Sequence, residues 1–459
     1  MMPGPDEPTR PSSLGPEAPT GRIDTGPDAP TRRTAFTTQR LRVIARSALA
    51  DTRPLRTPAY RRLWSAGVVT VVGSQLSVVA VPTQIYQLTN SSAYVGLTGV
   101  FGLVPLVVFG LWGGAIADVM DRRVLLLASG GGIALSSLAL WVTAASGVGG
   151  VWSVLVLFAV QTALLAINQP TRNAVIPRLL PAEQLPAANA LNMTVQQVGA
   201  IAGPLLAGVL IPVVGLPTLY LIDAIALLAT LWATWRLPSL PPEKAVTRRA
   251  GARQVIEGFR YVALHKVLLV SFLIDVVAMG FGMPRVVFPE MAHTVFGDPI
   301  AGGPALGLLF AAIPIGMVVA GLFSGWLTHV RRQGVAVTIA ICTWGVGIAL
   351  FGLSGSLWFA VLFLAVAGAG DMVSSAFRNS MLQTVATDDM RGRMQGVFTV
   401  VVVGGPRLAD LWHGPAAAAV GPSAAVAAGG FATIVFAIVV VAVFPVFWRY
   451  RAPVAADRP

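Results

Sequence analysis

Twelve apolar stretches, each about as long as a membrane-crossing helix, run along this chain, and most of the charge lies in the gaps between them and in the terminal tails. About 20 apolar residues cross a hydrocarbon core, and only a helix or a closed barrel satisfies its own backbone there. The stretches fall at 62–88, 93–117, 124–145, 151–176, 188–211, 216–237, 266–290, 304–328, 335–354, 357–381, 394–418 and 424–448. Of 459 residues, 55% are hydrophobic and 11% charged, whereas a soluble domain carries about 25% charge. A soluble enzyme is nearly excluded. The expected fold is an all-α membrane protein of twelve transmembrane helices in two six-helix bundles.

The formal net charge of +12 invites a nucleic-acid reading, but the placement of the charge does not. Eleven of the 32 Lys and Arg lie in residues 1–62, and most of the others in short gaps between apolar stretches. That is a topology signal, not a phosphate-binding face. With residue 1 inside, the outer gaps near 89–92, 146–150, 212–215, 291–303, 355–356 and 419–423 hold no Lys or Arg. The inner gaps hold Arg122, Arg123, Arg178, Lys244 through Arg260, Arg331, Arg332, Arg391 and Arg393. Both termini are therefore expected in the cytoplasm.

Residues 1–57 read as a basic cytoplasmic tail, mostly disordered, because its Pro, Gly, Asp and Thr cannot bury enough apolar area. Within it, 36–50 has helical apolar spacing interleaved with Arg40, Arg42 and Arg46. That segment is either a helix on an anionic membrane surface or a solvated basic tail. No cleavable leader is visible, so the first apolar stretch is expected to act as an uncleaved anchor. Residues 58–237 form the first bundle and 266–450 the second, with a cytoplasmic linker at 238–265 and a short tail at 451–459. In the linker, Val255, Phe259 and Val262 suggest a short amphipathic helix. The sole cysteine, Cys342, lies in an apolar stretch and permits no intramolecular disulfide. An internal repeat supports the two halves: Arg172-Asn173 after the fourth stretch matches Arg378-Asn379 in the tenth. Two six-span halves related by a parallel repeat are the plan of one large transporter class.

At this point the chain resembles the major facilitator superfamily over about residues 58–450. After the second stretch, Gly114, Asp118, Arg122 and Arg123 match the superfamily motif Gly-x-x-x-Asp-Arg-x-Gly-Arg-Arg, while Val119 and Asp121 depart from it. The resemblance implies a latch in which Asp118 pairs with Arg122 or faces the positive end of another helix. In the superfamily that helix is span eleven, here starting near Arg393. Gly199, Gly203, Pro204 and Gly208 in span five match an exporter-associated motif, with Ala207 in one glycine position. Small residues four apart permit close helix packing. Drug–proton antiporters of the superfamily often carry an arginine inside span four. Here the first is Arg172, near its cytoplasmic end, so the resemblance carries no proton site into the first half. Tyr60 to Trp64, Gly73 to Leu76, Asp121 to Arg123, Arg391 to Arg393 and Gly405 to Asp410 are similar to the enterobactin (siderophore) exporter and drug-efflux subgroup.

Ionisable groups at bilayer depth are costly and point to function. Four sit near mid-depth, all in the second half: Asp275 in span seven, Asp371 in span ten, and Arg407 and Asp410 in span eleven. They are candidates for proton coupling and substrate binding, or else interhelical clasps. Arg407 and Asp410 are three apart and can pair on one helix face. Asp223 in span six reads as structural. Arg285 and Glu290 sit at the outer end of span seven, as an exit gate or an interfacial salt bridge. Gly280, Gly282 and Pro284 can break span seven where it lines a cavity. Gln75, Gln161 and Asn168 offer polar groups to a cavity or to neighbouring helices, and Trp412 and His413 offer aromatic faces to a substrate. No nucleotide-binding loop, metal-ligand spacing or hydrolase elbow is present. No cofactor, no metal and no nucleic acid are expected; the expected partners are a small-molecule substrate, protons and membrane lipid. The reading is a secondary exporter in the cell membrane, moving a small amphiphilic or anionic metabolite by alternating access and proton antiport. The alternatives are a multidrug efflux antiporter without a dedicated metabolite, or a non-transporting sensor or scaffold that works through the tail.

Overall fold

The computed structural model describes residues 51–241, 252–385 and 388–452; residues 111–119, 252–256, 259, 388–400 and 403 are described in backbone alone. Segment 36–50 and the rest of the tail before residue 51 lie outside the described residues. Among the described residues every regular element is helical. Spans one to six are Pro58–Thr89, Ser92–Gly96 continued by Thr98–Val119, Arg122–Ser146, Val151–Leu179, Leu185–Val214 and Leu216–Trp235. The linker carries the helix Ala252–Leu264. Spans seven to twelve are Lys266–Gly282 with Phe288–Thr294, then Pro304–Leu322, Gln333–Leu353, Leu357–Val385, Asp388–Val420 and Pro422–Val443. Among the described residues, eleven segments are long and apolar enough to cross a membrane; Asp388–Val420 completes the set of twelve.

Several spans overrun the hydropathy boundaries. Span one has 32 residues, about 48 Å at 1.5 Å per residue, against a core of about 30 Å. Hydropathy registers only the part in hydrocarbon, whereas the helix continues until a stop signal ends it. Span four accordingly runs on past Arg178 to Leu179 before Pro181.

Helix starts are marked by proline in the first turn of spans one, five, six, eight and twelve, where the missing N–H is not needed. Two starts also have a carboxylate. Asp121 accepts from the Arg123 amide at 2.8 Å ahead of span three. Asp298 accepts from the amides of Leu306 at 2.8 Å and Ala305 at 3.3 Å ahead of span eight. Each satisfies donors the helix leaves open.

In the first half, span one packs on spans five and six, span two on span four, and span three on spans four and six. In the second, span nine packs on spans ten and twelve, and span eight on span ten. The halves meet where span five lies on span eight and span two on span eleven. At both crossings backbone meets backbone. A Cβ on Gly208 would stand 3.0 Å from the Gly307 Cα, and one on Gly307 2.6 Å from the Pro204 carbonyl oxygen. A Cβ on Gly96 would stand 2.7 Å from the Asp410 carbonyl oxygen, and one on Gly414 2.8 Å from the Gly96 Cα. Both crossings lie at the end of the bundle remote from residues 58 and 450. In the bilayer, such small-residue contacts supply packing that apolar side chains cannot gain against lipid.

Candidate functional site

Span seven is where the fold departs from regular helix. Lys266–Gly282 stops, Met283 and Pro284 are non-helical, a 3-10 turn follows at Arg285–Val287, and Phe288–Thr294 completes the crossing. Gly280, Gly282 and Pro284 account for the break, because Pro284 has no N–H to continue the ladder. The break frees carbonyls at the end of the first segment, and in hydrocarbon these need donors. Two indoles supply them. Trp412 Nε1 donates to the Gly280 carbonyl at 2.6 Å and Trp344 Nε1 to the Ala278 carbonyl at 3.2 Å. Trp412 also packs its ring on His413 and Phe281.

About two helical turns before the break, Asp275 is buried and meets a residue that depth counting along the sequence passed over. Arg378 Nη1 of span ten lies 2.7 Å from Asp275 Oδ2. The two side chains are 3% and 1% exposed, which makes this a fully desolvated ion pair. The approach is close in distance but off the hydrogen-bond direction, and both Asp275 oxygens lack a hydrogen-bond donor among the described residues. Arg378 Nε donates to Ser374 Oγ at 3.1 Å. Its Nη2 lies 3.9 Å from Asp371 Oδ1, seven residues and so about two turns back on the same helix face. The internal repeat had singled out Arg378, and that was the available signal: a repeat arginine in a span that also carries an acid.

Arg407 and Asp410 form the second pair, at 3.6 Å, with side chains 31% and 7% exposed. Arg407 reaches across to the first half. Its guanidinium lies 5.2 Å from the Phe158 ring centre in span four, and a Cβ at Gly102 in span two would stand 3.0 Å from its Nε. Arg285 joins this group. It is exposed, yet ringed by protein and within electrostatic reach of Asp410, Arg407 and Asp371, as for a side chain standing in an internal opening. The break in span seven moves it away from the simple helix end that its sequence position suggested. Asp275, Asp371, Asp410, Arg285, Arg378 and Arg407 thus make a cluster with three acids and three bases. Glu290 hydrogen-bonds Ser92 across the halves.

The other sequence candidates are placed as follows. Asp223 is 1% exposed, and its Oδ2 accepts from Ser77 at 2.8 Å and Ser137 at 2.9 Å. Gln161 donates to Ser137 at 3.0 Å and Asn168 to Ser129 at 2.8 Å, so both engage a neighbouring helix. Gln75 is half-buried where Gly203 lets span five press on span one, and Gly199 does the same over Val71. Gly114 and Asp118 lie in the span-two helix, but their side chains, with those of Arg391 and Arg393, lie outside the described residues. Arg122 Nη1 donates to the Ala174 carbonyl at 2.9 Å, and Arg123 Nη2 to the Trp235 carbonyl at 2.6 Å. Asp121 accepts from Ser239 at 2.5 Å and from the Leu240 amide at 3.2 Å. Burial pushes the Asp121 carboxyl up, but the hydrogen bonds from Ser239, Arg123 and Leu240 outweigh it and hold it below the ordinary carboxylate value.

The description "transmembrane secretion effector" belongs to the family model that matches residues 47–451. The enterobactin exporter EntS of Shigella boydii serotype 18 is 30% identical over 412 residues, covering 86% of this chain and 94% of the relative. EntS of Escherichia coli O81 is 29% identical over the same coverage. The crystal structure of the nucleoside transporter NupG superposes with a TM-score of 0.67 at 13% identity, covering 85% of this chain and 98% of that one. A bacterial homologue of the human lysosomal transporter Spinster, solved inward-facing, gives 0.63 at 17% identity, covering 87% and 97%. These two likenesses concern the fold. The chain is a multi-pass membrane transporter, and it belongs to the transmembrane secretion effector family within the major facilitator superfamily.

Proposed function

We propose that this chain is a secondary exporter in the cell membrane, with both termini cytoplasmic, driven by proton antiport. The observation that carries the proposal is the Asp275–Arg378 pair, buried beside the break in span seven and flanked by Asp371. A desolvated carboxylate is tolerated there only while a guanidinium balances it. Protonation of Asp275 or Asp371 releases Arg378, and that change of pairing is the event that favours one arrangement of the halves over the other.

Antiport requires cargo and proton to exclude each other. Hydroxyl donors on the cargo that hydrogen-bond Asp371 or Asp410 favour the ionised acid and expel the proton. An anion bound to Arg378 has the opposite effect, because it strips Asp275 of its partner. The charged group of the cargo is therefore assigned to Arg407 and Arg285, and its hydroxyls to the carboxylates. A small amphiphilic or anionic metabolite rich in hydroxyls fits, and the relatives named as enterobactin exporters support a siderophore-like compound. With the arginine-bearing loops inside, the crossings at Gly96–Gly414 and Gly208–Gly307 close the outer end. Asp118, Arg122 and Arg123 are assigned to a latch at the inner end, which engages when the halves rock.

Two measurements test this. In cells lacking the gene, grown with iron scarce and with iron plentiful, mass spectrometry of medium and cells should show one compound lost from the medium and retained inside only when iron is scarce. An unchanged profile overturns the siderophore assignment and shifts the reading to toxin efflux. In proteoliposomes, Asp275→Asn should abolish efflux driven by a pH gradient while cargo exchange persists. Gradient-driven efflux at the wild-type rate overturns the coupling role.

A further inference from the structure

A concavity lies away from the charged cluster, between spans nine, ten and twelve; none of the six charged residues lines it. It encloses about 690 Å³, and its walls include Thr338, Cys342 and Val346 of span nine, Phe363 of span ten, Ile438 of span twelve and Trp448 of the helix Pro445–Trp448. It follows span nine from Thr338 to Leu350, about 18 Å at 1.5 Å per residue. That is close to one leaflet of a core about 30 Å thick. The wall hydroxyls are spent on their own helix: Thr338 donates to the Gly334 carbonyl at 2.9 Å and Thr343 to that of Ile339 at 3.0 Å. The groove therefore presents hydrocarbon and nothing for a polar ligand to bind.

Its mouth is different. Span nine begins directly after Arg331 and Arg332, and the chain leaves the helix Pro445–Trp448 into Arg449 and Arg451. These two ends are tied together. The Ala452 amide donates to the Arg331 carbonyl at 3.0 Å, and Gly334 abuts the Phe447 carbonyl so closely that a Cβ would overlap it. All four arginines are exposed, and among the described residues no carboxylate pairs with any of them. Trp448 joins mouth to groove, at the position where indoles favour the membrane interface.

We infer that this groove and its arginine mouth form a binding site for an anionic phospholipid, with one acyl chain along span nine and the headgroup phosphate on Arg331, Arg332, Arg449 and Arg451. The shape supplies a slot for a tail, and the mouth supplies guanidinium forks that match phosphate. An anionic headgroup gains from each basic residue at the surface, whereas a zwitterionic one gains little. The site is independent of the transport reading.

The test uses the full chain, purified in mild detergent and examined by native mass spectrometry with phosphatidylglycerol or with phosphatidylcholine of the same chains. The wild type should retain phosphatidylglycerol about tenfold better, the preference expected from one to two surface charges. Replacing all four arginines (Arg331→Gln, Arg332→Gln, Arg449→Gln, Arg451→Gln) should equalise the two lipids. Val346→Trp, which fills the groove from its open side, should lower retention of phosphatidylglycerol with the arginines intact. The sole cysteine gives an independent readout: phosphatidylglycerol should slow maleimide labelling of Cys342, and phosphatidylcholine should slow it less. Equal retention of both lipids by the wild type overturns the site, as does a preference that survives the four replacements. Retention unaffected by Val346→Trp also overturns it, because the arginines would then be holding lipid without the groove.

Discussion

Arg172 of span four and Arg378 of span ten occupy matching places in the internal repeat, yet their surroundings differ. Arg378 has Asp275 at 2.7 Å and Asp371 at 3.9 Å. Arg172 lies over Gly67 and, among the described residues, makes one long bond of 3.4 Å to the Leu63 carbonyl. The repeat places Leu165 in span four where span ten has Asp371. The buried acid of the first half, Asp223, is held by the hydroxyls of Ser77 and Ser137 rather than by a cation. Serine dipoles hold one oxygen of Asp223, which fixes structure. Asp275 and Asp371 instead face a guanidinium, the kind of pairing that the proposed function has a proton break and remake. On the proposed reading, the first half is then the frame and the second the working half.

The largest test of that division is a matched pair of substitutions. Arg378→Leu orphans a buried carboxylate and should cost about 3–5 kcal/mol, whereas Arg172→Leu loses one weak bond and should cost about 1 kcal/mol. Thermal unfolding of the two purified variants measures the difference; equal losses would end the distinction. Next, Asp275→Asn should abolish gradient-driven flux, which the assay reads as a loss of at least about tenfold, roughly 1.4 kcal/mol of barrier or more. Asp223→Asn should leave the flux near wild type, since serine hydroxyls can serve an amide as they serve a carboxylate. A proteoliposome assay compares them directly.

A smaller effect concerns the crossings between halves. Gly208→Val should force spans five and eight apart, cost about 1–3 kcal/mol, and raise labelling of cysteines introduced near the remote end. Smallest is the cap on span three. Asp121→Ala should cost about 1 kcal/mol. The Asp121 carboxyl is depressed in the folded chain, so its contribution is present above the unfolded value of about 3.9 and is lost as pH falls through the folded value. The gap between wild type and Asp121→Ala should therefore close in acid. Span nine, the counterpart in the second half, starts at Arg332 with no side-chain cap. Arg332→Ala should leave unfolding unchanged at every pH in lipid-free detergent.

Much of this was legible in the residues. Charge at bilayer depth is so costly that Asp275, Asp371, Arg407 and Asp410 stand out by position alone. The break in span seven follows from Gly280, Gly282 and Pro284. What sequence could not supply were partners on other helices. Arg378 lies three residues from the end of its apolar stretch at 381 and so passes as a flanking charge, and only the crossing with span seven brings it onto Asp275. Arg285 reads from its position as an outer-end gate or salt bridge, and its reach to Asp410, Arg407 and Asp371 depends on how the chain turns after the break. Trp412 offered an aromatic face, but its N–H is committed to the Gly280 carbonyl. Gln161 and Asn168 allowed two readings until Ser137 and Ser129 were found opposite them. Periodicity and composition report the environment of one helix, whereas pairing depends on the angle at which two helices cross.

The crossings at Gly96–Gly414 and Gly208–Gly307 carry a consequence for how the molecule ages in evolution and how fast it turns over. At the four glycines themselves backbone meets backbone, so on the proposed alternating-access reading the halves part there without a side chain to displace at the point of closest approach. The same bareness leaves no tolerance. One added methyl props the joint open, so drift at these four positions should be far narrower than at the charged cluster, where an acid can migrate by a helical turn and still find an arginine. Across descendants the joint should stay fixed while the residues of the charged cluster diversify around an unchanged bearing.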